Sequence, residues 1–277
     1  AHVVDYKTSQ TTDSIFNQYD LPEAYRYKNH SLLSTLTSMF PEAPHTLLRE
    51  HYRCHPKIIE FCNKKFYDDQ LIILTKSESN REPLLVYKTT EGNHERSRVN
   101  QRQIDVIKNE IIPQRNLSTT NGSLGIVTPY RNQTNVLQKT FADMEVKADT
   151  VDKFQGQECP VIILSTVDNK ISEFTDNANR LNVAISRAVE QLIVVVSHGD
   201  AIKDTNIGDL VRYIEYNNFT VVDSKVHSVF DYLYKSYAER RSEFLAKQKR
   251  VSEFDSENLM YALITSVLKE KKFKGFK

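Results

Sequence analysis

Residues 149–167 read DTVDKFQGQECPVIILSTV. The unbroken run Val161-Ile162-Ile163-Leu164 suits a strand covered on both faces, because a strand with one wet face would alternate polar and apolar residues. Before it, Ala148–Val151 reads as a short strand, and the polar loop DKFQGQE follows, with Gly156 free to turn sharply or to let backbone approach a ligand. Outward from this stretch the pattern repeats. Downstream, Asn177–Val189 reads as a helix and Gln191–Ser197 as a second buried strand. Upstream, Leu124–Thr128 is a strand and Asn132–Met144 a helix, and further upstream Leu84–Thr89 and Arg98–Ile112 form another such pair. Strand–helix alternation at this spacing predicts an α/β fold with a parallel sheet, right-handed crossovers and helices on the sheet's faces. Ligands of such sheets gather beyond the carboxyl ends of the strands, and the candidate residues are expected there.

The flanks differ. The first 50 residues are polar, Tyr-rich and predicted helical, with a Leu32, Leu33, Leu36 stripe on Ser31–Phe40 that Pro41 and Pro44 stop. After Ser197, Ile207–Asn217 and Val226–Gln248 read as helices with a short strand, Phe219–Val222, between them. Asp255–Lys269 is a last helix, capped by Ser252 or Asp255. The expected division is a helical lead-in over 1–50, a main domain over 51–225 and a helical extension over 226–277.

Charge is nearly balanced, 37 Lys and Arg against 36 Asp and Glu, so any basic groove is local. Three cysteines, Cys54, Cys62 and Cys159, with no CxxC spacing, suggest neither a disulfide framework nor a zinc site. No apolar run approaches membrane-spanning length and the start lacks a signal-peptide pattern, so the expected compartment is cytoplasmic and no membrane partner is expected. None of the seven glycines belongs to a G-x-x-x-x-G-K phosphate loop, and no Gly-rich dinucleotide fingerprint follows a strand.

Four segments carry candidate chemistry. HYRCHPKIIEFCNKKFY (51–67) sets Tyr52 and Arg53 on a loop before an amphipathic helix that Pro56 opens; a guanidinium fork suits phosphate and a ring stacks on a base. In 149–167, Gln155 and Glu158 are polar groups at the edge of the sheet. DNANRLNVAISRAVEQLIVV (176–195) places Arg180 and Arg187 two turns apart, hence on one face of the expected helix. SLGIVTPYRNQ (123–133) ends a strand at Thr128-Pro129-Tyr130 and starts a helix whose free N–H groups suit an anion.

In order and spacing these segments resemble the second RecA-like motor domain of superfamily 1B helicases, the group of the nonsense-mediated-decay RNA helicase and its bacterial DNA-helicase relatives. The family's Q-Y-R-M-H-P is similar to HYRCHP here, with His51 and Cys54 in place of Gln and Met. Its T-P-Y is Thr128-Pro129-Tyr130, its V-D-x-F-Q-G-x-E is Val151 to Glu158, and its R-L-N-V-A motif is met by Arg180 to Ala188. The match is strong from about Leu47 to Ser197 and weak outside.

The resemblance implies a RecA-like P-loop NTPase fold and an ATP-driven motor, most similar to a bacterial DNA helicase, of which this chain is the C-terminal piece. ATP with Mg²⁺ would lie between two motor domains, the phosphate loop and metal ligands belonging to the first, so this piece alone is expected to be inactive. Arg53 and Arg187 match the arginines that neutralise the transferred phosphoryl group. Tyr52 matches the aromatic on adenine, Glu158 the acid on the ribose, and Gln155 and Gly156 line the same seam. Arg180 is expected to be structural, paired with Asp176 or Glu158. Thr128, Tyr130 and Thr150 match strand contacts through phosphate, with single-stranded nucleic acid as partner and DNA favoured over RNA. Residues 226–277 resemble the linker that leads into a nuclease-like domain in some relatives, Glu257 falling near its first helix. Two other classes compete: a non-catalytic RecA-like binding or docking domain, which has no need for both arginines, and a small-molecule enzyme, which the missing dinucleotide fingerprint disfavours.

Overall fold

The computed structural model describes residues 6–76, 79–90, 94–198 and 203–226. Six strands among them make one sheet: β1 (Leu84–Lys88), β2 (Leu124–Thr128), β3 (Lys147–Thr150), β4 (Cys159–Ser165), β5 (Ala188–Val196) and β6 (Val221–Asp223). Their order is β6-β1-β5-β4-β2-β3 and every neighbouring pair is parallel. The fold is the predicted one, an α/β RecA-like P-loop NTPase fold.

Alternate residues of the strands build two cores. Leu84, Val86, Val127, Ile162, Leu164, Leu192 and Val194 face one side, with α3 (Pro56–Phe66), α6 (Ala178–Ile185) and α7 (Asn206–Tyr216) packed over them. Leu85, Tyr87, Leu124, Ile126, Val161, Ile163, Ile193 and Val195 face the other, covered by α4 (Gln101–Val106) and α5 (Arg131–Thr140). This double burial is why β4 reads as a continuous apolar run. The strand also begins two residues earlier than expected: Pro160, which has no N–H to give, sits at a register shift between Cys159 and Val161 near the strand's start. The helix expected over Arg98–Ile112 starts later, at Gln101, where the Asn100 side chain accepts from the Gln103 N–H. It continues through a π turn, Ile107–Ile111, to Gln114.

The lead-in holds α1 (Tyr6–Phe16) and α2 (Leu32–Met39). Ser31 and Ser34 form a reciprocal cap on α2, so the helix is where the sequence puts it. Among the described residues, however, its leucine stripe does not pack into a core: Leu32 and Leu33 are 78% and 71% exposed. The period of 3–4 fixes a helix and an apolar face, not what covers that face. Of the predicted C-terminal segments, the helix Ile207–Asn217 is α7 and the short strand is β6; the helices from Val226 onward, with Glu257, lie outside the described residues.

Candidate functional site

The amino ends of β4 and β5 bring together residues more than 100 positions apart. Glu158 immediately precedes β4 and Arg187 immediately precedes β5. The 51–55 loop is pinned beside them, because the His55 N–H donates to the Val189 carbonyl (2.7 Å) and the Cys54 thiol donates to the Ser186 carbonyl (3.4 Å). That places Arg53 with its Nε 3.5 Å from Glu158 Oε2. This Nε is buried and makes no hydrogen bond among the described residues.

Arg187 is buried at 9% exposure, and its guanidinium donates to neutral oxygens: the Val183 carbonyl (3.1 Å), the Gln157 carbonyl (3.4 Å) and Ser186 Oγ (3.2 Å). Burial first, and then the charge of Arg53, pull its pKa below the usual arginine value. Two guanidinium groups therefore face one half-exposed carboxylate. Such a pocket favours an incoming anion, since an anion relieves the repulsion and the desolvation together. The Tyr52 ring stands 65% exposed at the rim, its hydroxyl turned to Glu50. Gln155 and Gly156 are exposed on the β3–β4 crossover, where Gly156 takes φ +84°, a left-handed conformation that suits glycine. The expected position beyond the carboxyl ends is thus corrected for Arg53, Glu158 and Arg187: they sit at the amino ends, because Glu158 and Arg187 directly precede β4 and β5 and the loop bearing Arg53 is bonded to Ser186 and Val189 there.

Two further expectations change. Arg187 does not share a helix face with Arg180, since α6 ends at Ile185 and Arg187 lies in the turn after it. Arg180 is buried as expected of a structural residue, but its partner is Asp152 (3.4 Å), with the Phe174 ring 3.7 Å from its guanidinium carbon. Asp176 is occupied elsewhere, accepting from the Asn206 and Ile207 N–H groups at the start of α7. Asp152 belongs to the V-D-x-F-Q-G stretch itself, so the signal for that pair was in the motif.

Thr128, Tyr130 and Thr150 lie at the other end of the sheet, at or just past the carboxyl ends of β2 and β3. Thr128 is fully buried and its Oγ1 has no hydrogen-bond partner among the described residues. Thr150 is half-buried, its N–H held by Asp149 Oδ1 (2.8 Å). Tyr130 is the N-cap of α5 without a capping side-chain bond, leaving first-turn N–H groups available. Its hydroxyl, expected to meet phosphate, is instead committed inside to Asp168 (3.1 Å), Ser172 (2.9 Å) and Thr175 (3.1 Å), with Arg98 3.4 Å away. A buried phenol needs such partners, and the sequence alone gave no sign of them. Sequence reading also missed the buried amides beneath: Gln103 Oε1 accepts from the Ser165 hydroxyl and the Val167 N–H, and Asn100 Nδ2 donates to the Val167 carbonyl. They hold Val167 at φ +68°, a strained conformation for a β-branched residue.

Among the described residues no cluster of three His, Cys, Asp or Glu side chains could hold a metal ion.

A family model described as an AAA domain matches residues 28–199, and the chain belongs to that family. It is a superfamily 1 helicase-like domain of RecA fold. Similar proteins include an uncharacterised ATP-dependent helicase of Caenorhabditis elegans, 31% identical over 65% of this chain and 13% of that protein. The DNA polymerase alpha-associated DNA helicase A of Saccharomyces cerevisiae is 29% identical over 60% of this chain and 29% of its own length. The probable RNA helicase armi of Drosophila melanogaster is 28% identical over 54% of this chain and 16% of its own. The chain therefore spans less than a third of each of these relatives.

Proposed function

We propose that this chain is the C-terminal motor half of an ATP-dependent superfamily 1 helicase, residues 51–225 forming the motor domain between a lead-in and a C-terminal appendage. The observation that carries the reading is the pair Arg53 and Arg187 at one sheet edge, one with a buried Nε set against Glu158 and the other buried among neutral oxygens. A binding module needs no such concentration of positive charge at one edge. In this reading the γ-phosphoryl group of ATP, with its Mg²⁺, is carried by a first motor domain and brought against that edge. Arg53 and Arg187 neutralise charge on the transferring group, Tyr52 stacks on the base, Glu158 bonds the ribose, and Gln155 and Gly156 line the seam. Thr128, Tyr130 and Thr150 mark the path of single-stranded nucleic acid at the opposite edge, Tyr130 holding the loop rather than touching phosphate. Contacts of this kind do not separate DNA from RNA, and relatives named for both occur; DNA is the first strand to test.

The test is Arg187→Ala in a protein containing both motor domains. The expected result is a loss of ATP turnover of about 10³ to 10⁵, the usual contribution of an arginine finger, with little rescue by Arg187→Lys because a point ammonium lacks the planar fork. The carbonyls left unpaired should lower stability by only about 1–3 kcal/mol. Normal kcat in a folded Arg187→Ala protein overturns the assignment. The 277-residue chain alone, lacking a phosphate loop, is expected to hydrolyse no ATP.

A further inference from the structure

His51 stands where the resembling family carries glutamine, at the head of the loop that presents Arg53. Its Nε2 accepts a hydrogen bond from the Cys54 N–H at 2.9 Å, closing a four-residue turn around Tyr52 and Arg53. Its carbonyl accepts from the Leu74 N–H (2.9 Å), which ties the same residue to the strand Ile72–Ile73 alongside. The ring is half-buried, and the charged groups that face it are Arg53 and Glu158. We propose that His51 is a positioning residue for Arg53, whose ring-to-backbone bond makes the arginine edge competent at neutral pH and disables it in acid. The proposal rests on the reading that Arg53 meets the nucleotide.

The chemistry is one-directional. Only an unprotonated Nε2 can accept from an N–H, so a proton on that nitrogen breaks the turn. It also adds a third cation beside Arg53 and Arg187. Burial, and then Arg53, hold the ring's pKa below the ordinary histidine value, with Glu158 opposing. The bond is therefore present at neutral pH and lost as pH falls through that lowered value. Glutamine in the same place would accept the same N–H through its carbonyl oxygen and would not titrate.

Two measurements decide it. In NMR of the full chain from pH 7.5 to pH 5, the Cys54 amide should shift with the midpoint of the His51 ring, and His51→Gln should abolish that transition. A Cys54 amide that stays flat through the titration overturns the proposal. In a protein with both motor domains, ATP turnover should fall about tenfold per pH unit below the midpoint, as one proton requires. His51→Gln should restore, below the midpoint, the rate that both the native residue and His51→Ala lose there, whereas the acid limb should persist in His55→Asn, which keeps the cap of α3. An acid limb unchanged in His51→Gln overturns the proposal. Absence of any ATPase in the native protein defeats the functional reading instead, and the NMR titration still decides the role of His51.

Discussion

Arg187 occupies the turn between α6 and β5, where three neutral oxygens hold its guanidinium. Sequence order puts Arg187 seven residues after Arg180, as if on one helix, while Ser186 ends that helix and turns Arg187 toward the start of β5. The end of a helix depends on tertiary contacts, here the Cys54 thiol on the Ser186 carbonyl, and periodicity carries no trace of such a bond. Gly156 is a simpler case, since its presence in a polar loop already pointed to an unusual backbone angle. At φ +84° a Cβ would meet no atom within 4 Å, so Gly156→Ala tests conformation alone. It should destabilise the fold by about 1–2 kcal/mol, the cost of a left-handed angle for an L-residue, read from the midpoint of urea unfolding. An unchanged midpoint would mean that the crossover shifts freely to another conformation.

Strands were more readable than the helices around them, and for a physical reason. A strand buried on both faces must be apolar throughout, whereas the starts of α4 and α6 are set by single hydrogen bonds that the Asn100 and Asn177 side chains accept from backbone N–H groups. The join between α3 and α7 shows what only packing reveals. Glu60 on α3 accepts from Lys64 and Lys57 of its own helix and from the Tyr213 hydroxyl of α7. These bonds, that of Lys64 foremost, lower its pKa to about 2 from an ordinary 4.5. A depressed carboxylate stabilises the folded chain above its unfolded pKa, and the contribution disappears as pH falls from about 4.5 towards 2. Glu60→Gln should therefore flatten the decline of stability across that interval, followed by thermal melting at stepped pH. An identical acid decline in the variant would place the sensitive group elsewhere.

Across the molecule the sheet separates two edges, the arginines at the amino ends of β4 and β5 and the threonines at the carboxyl ends of β2 and β3. Parallel topology was evident from the strand–helix alternation; which edge each motif occupies was not, because a loop's direction of travel leaves no mark on composition. If the threonine edge carries the strand, Thr150→Val should weaken binding of single-stranded DNA with little change in melting temperature, since its side chain is only half-buried, unlike the fully enclosed Thr128. Remaining affinity should fall with added salt, as phosphate contacts do. Unchanged affinity in a titration would move the strand to another face. The crossover that joins these edges passes over Gly125, where a Cβ would come within 2.6 Å of Ile162 Cδ1 and 2.9 Å of Phe154 Cζ. A larger residue there would lift Phe154 and, with it, the stretch that ends at Glu158. In a mutational scan scored by enzymatic output, Gly125 would rank beside the arginines although no reactant ever touches it, and only a separate measure of folding would tell the hinge of the device from its working tip.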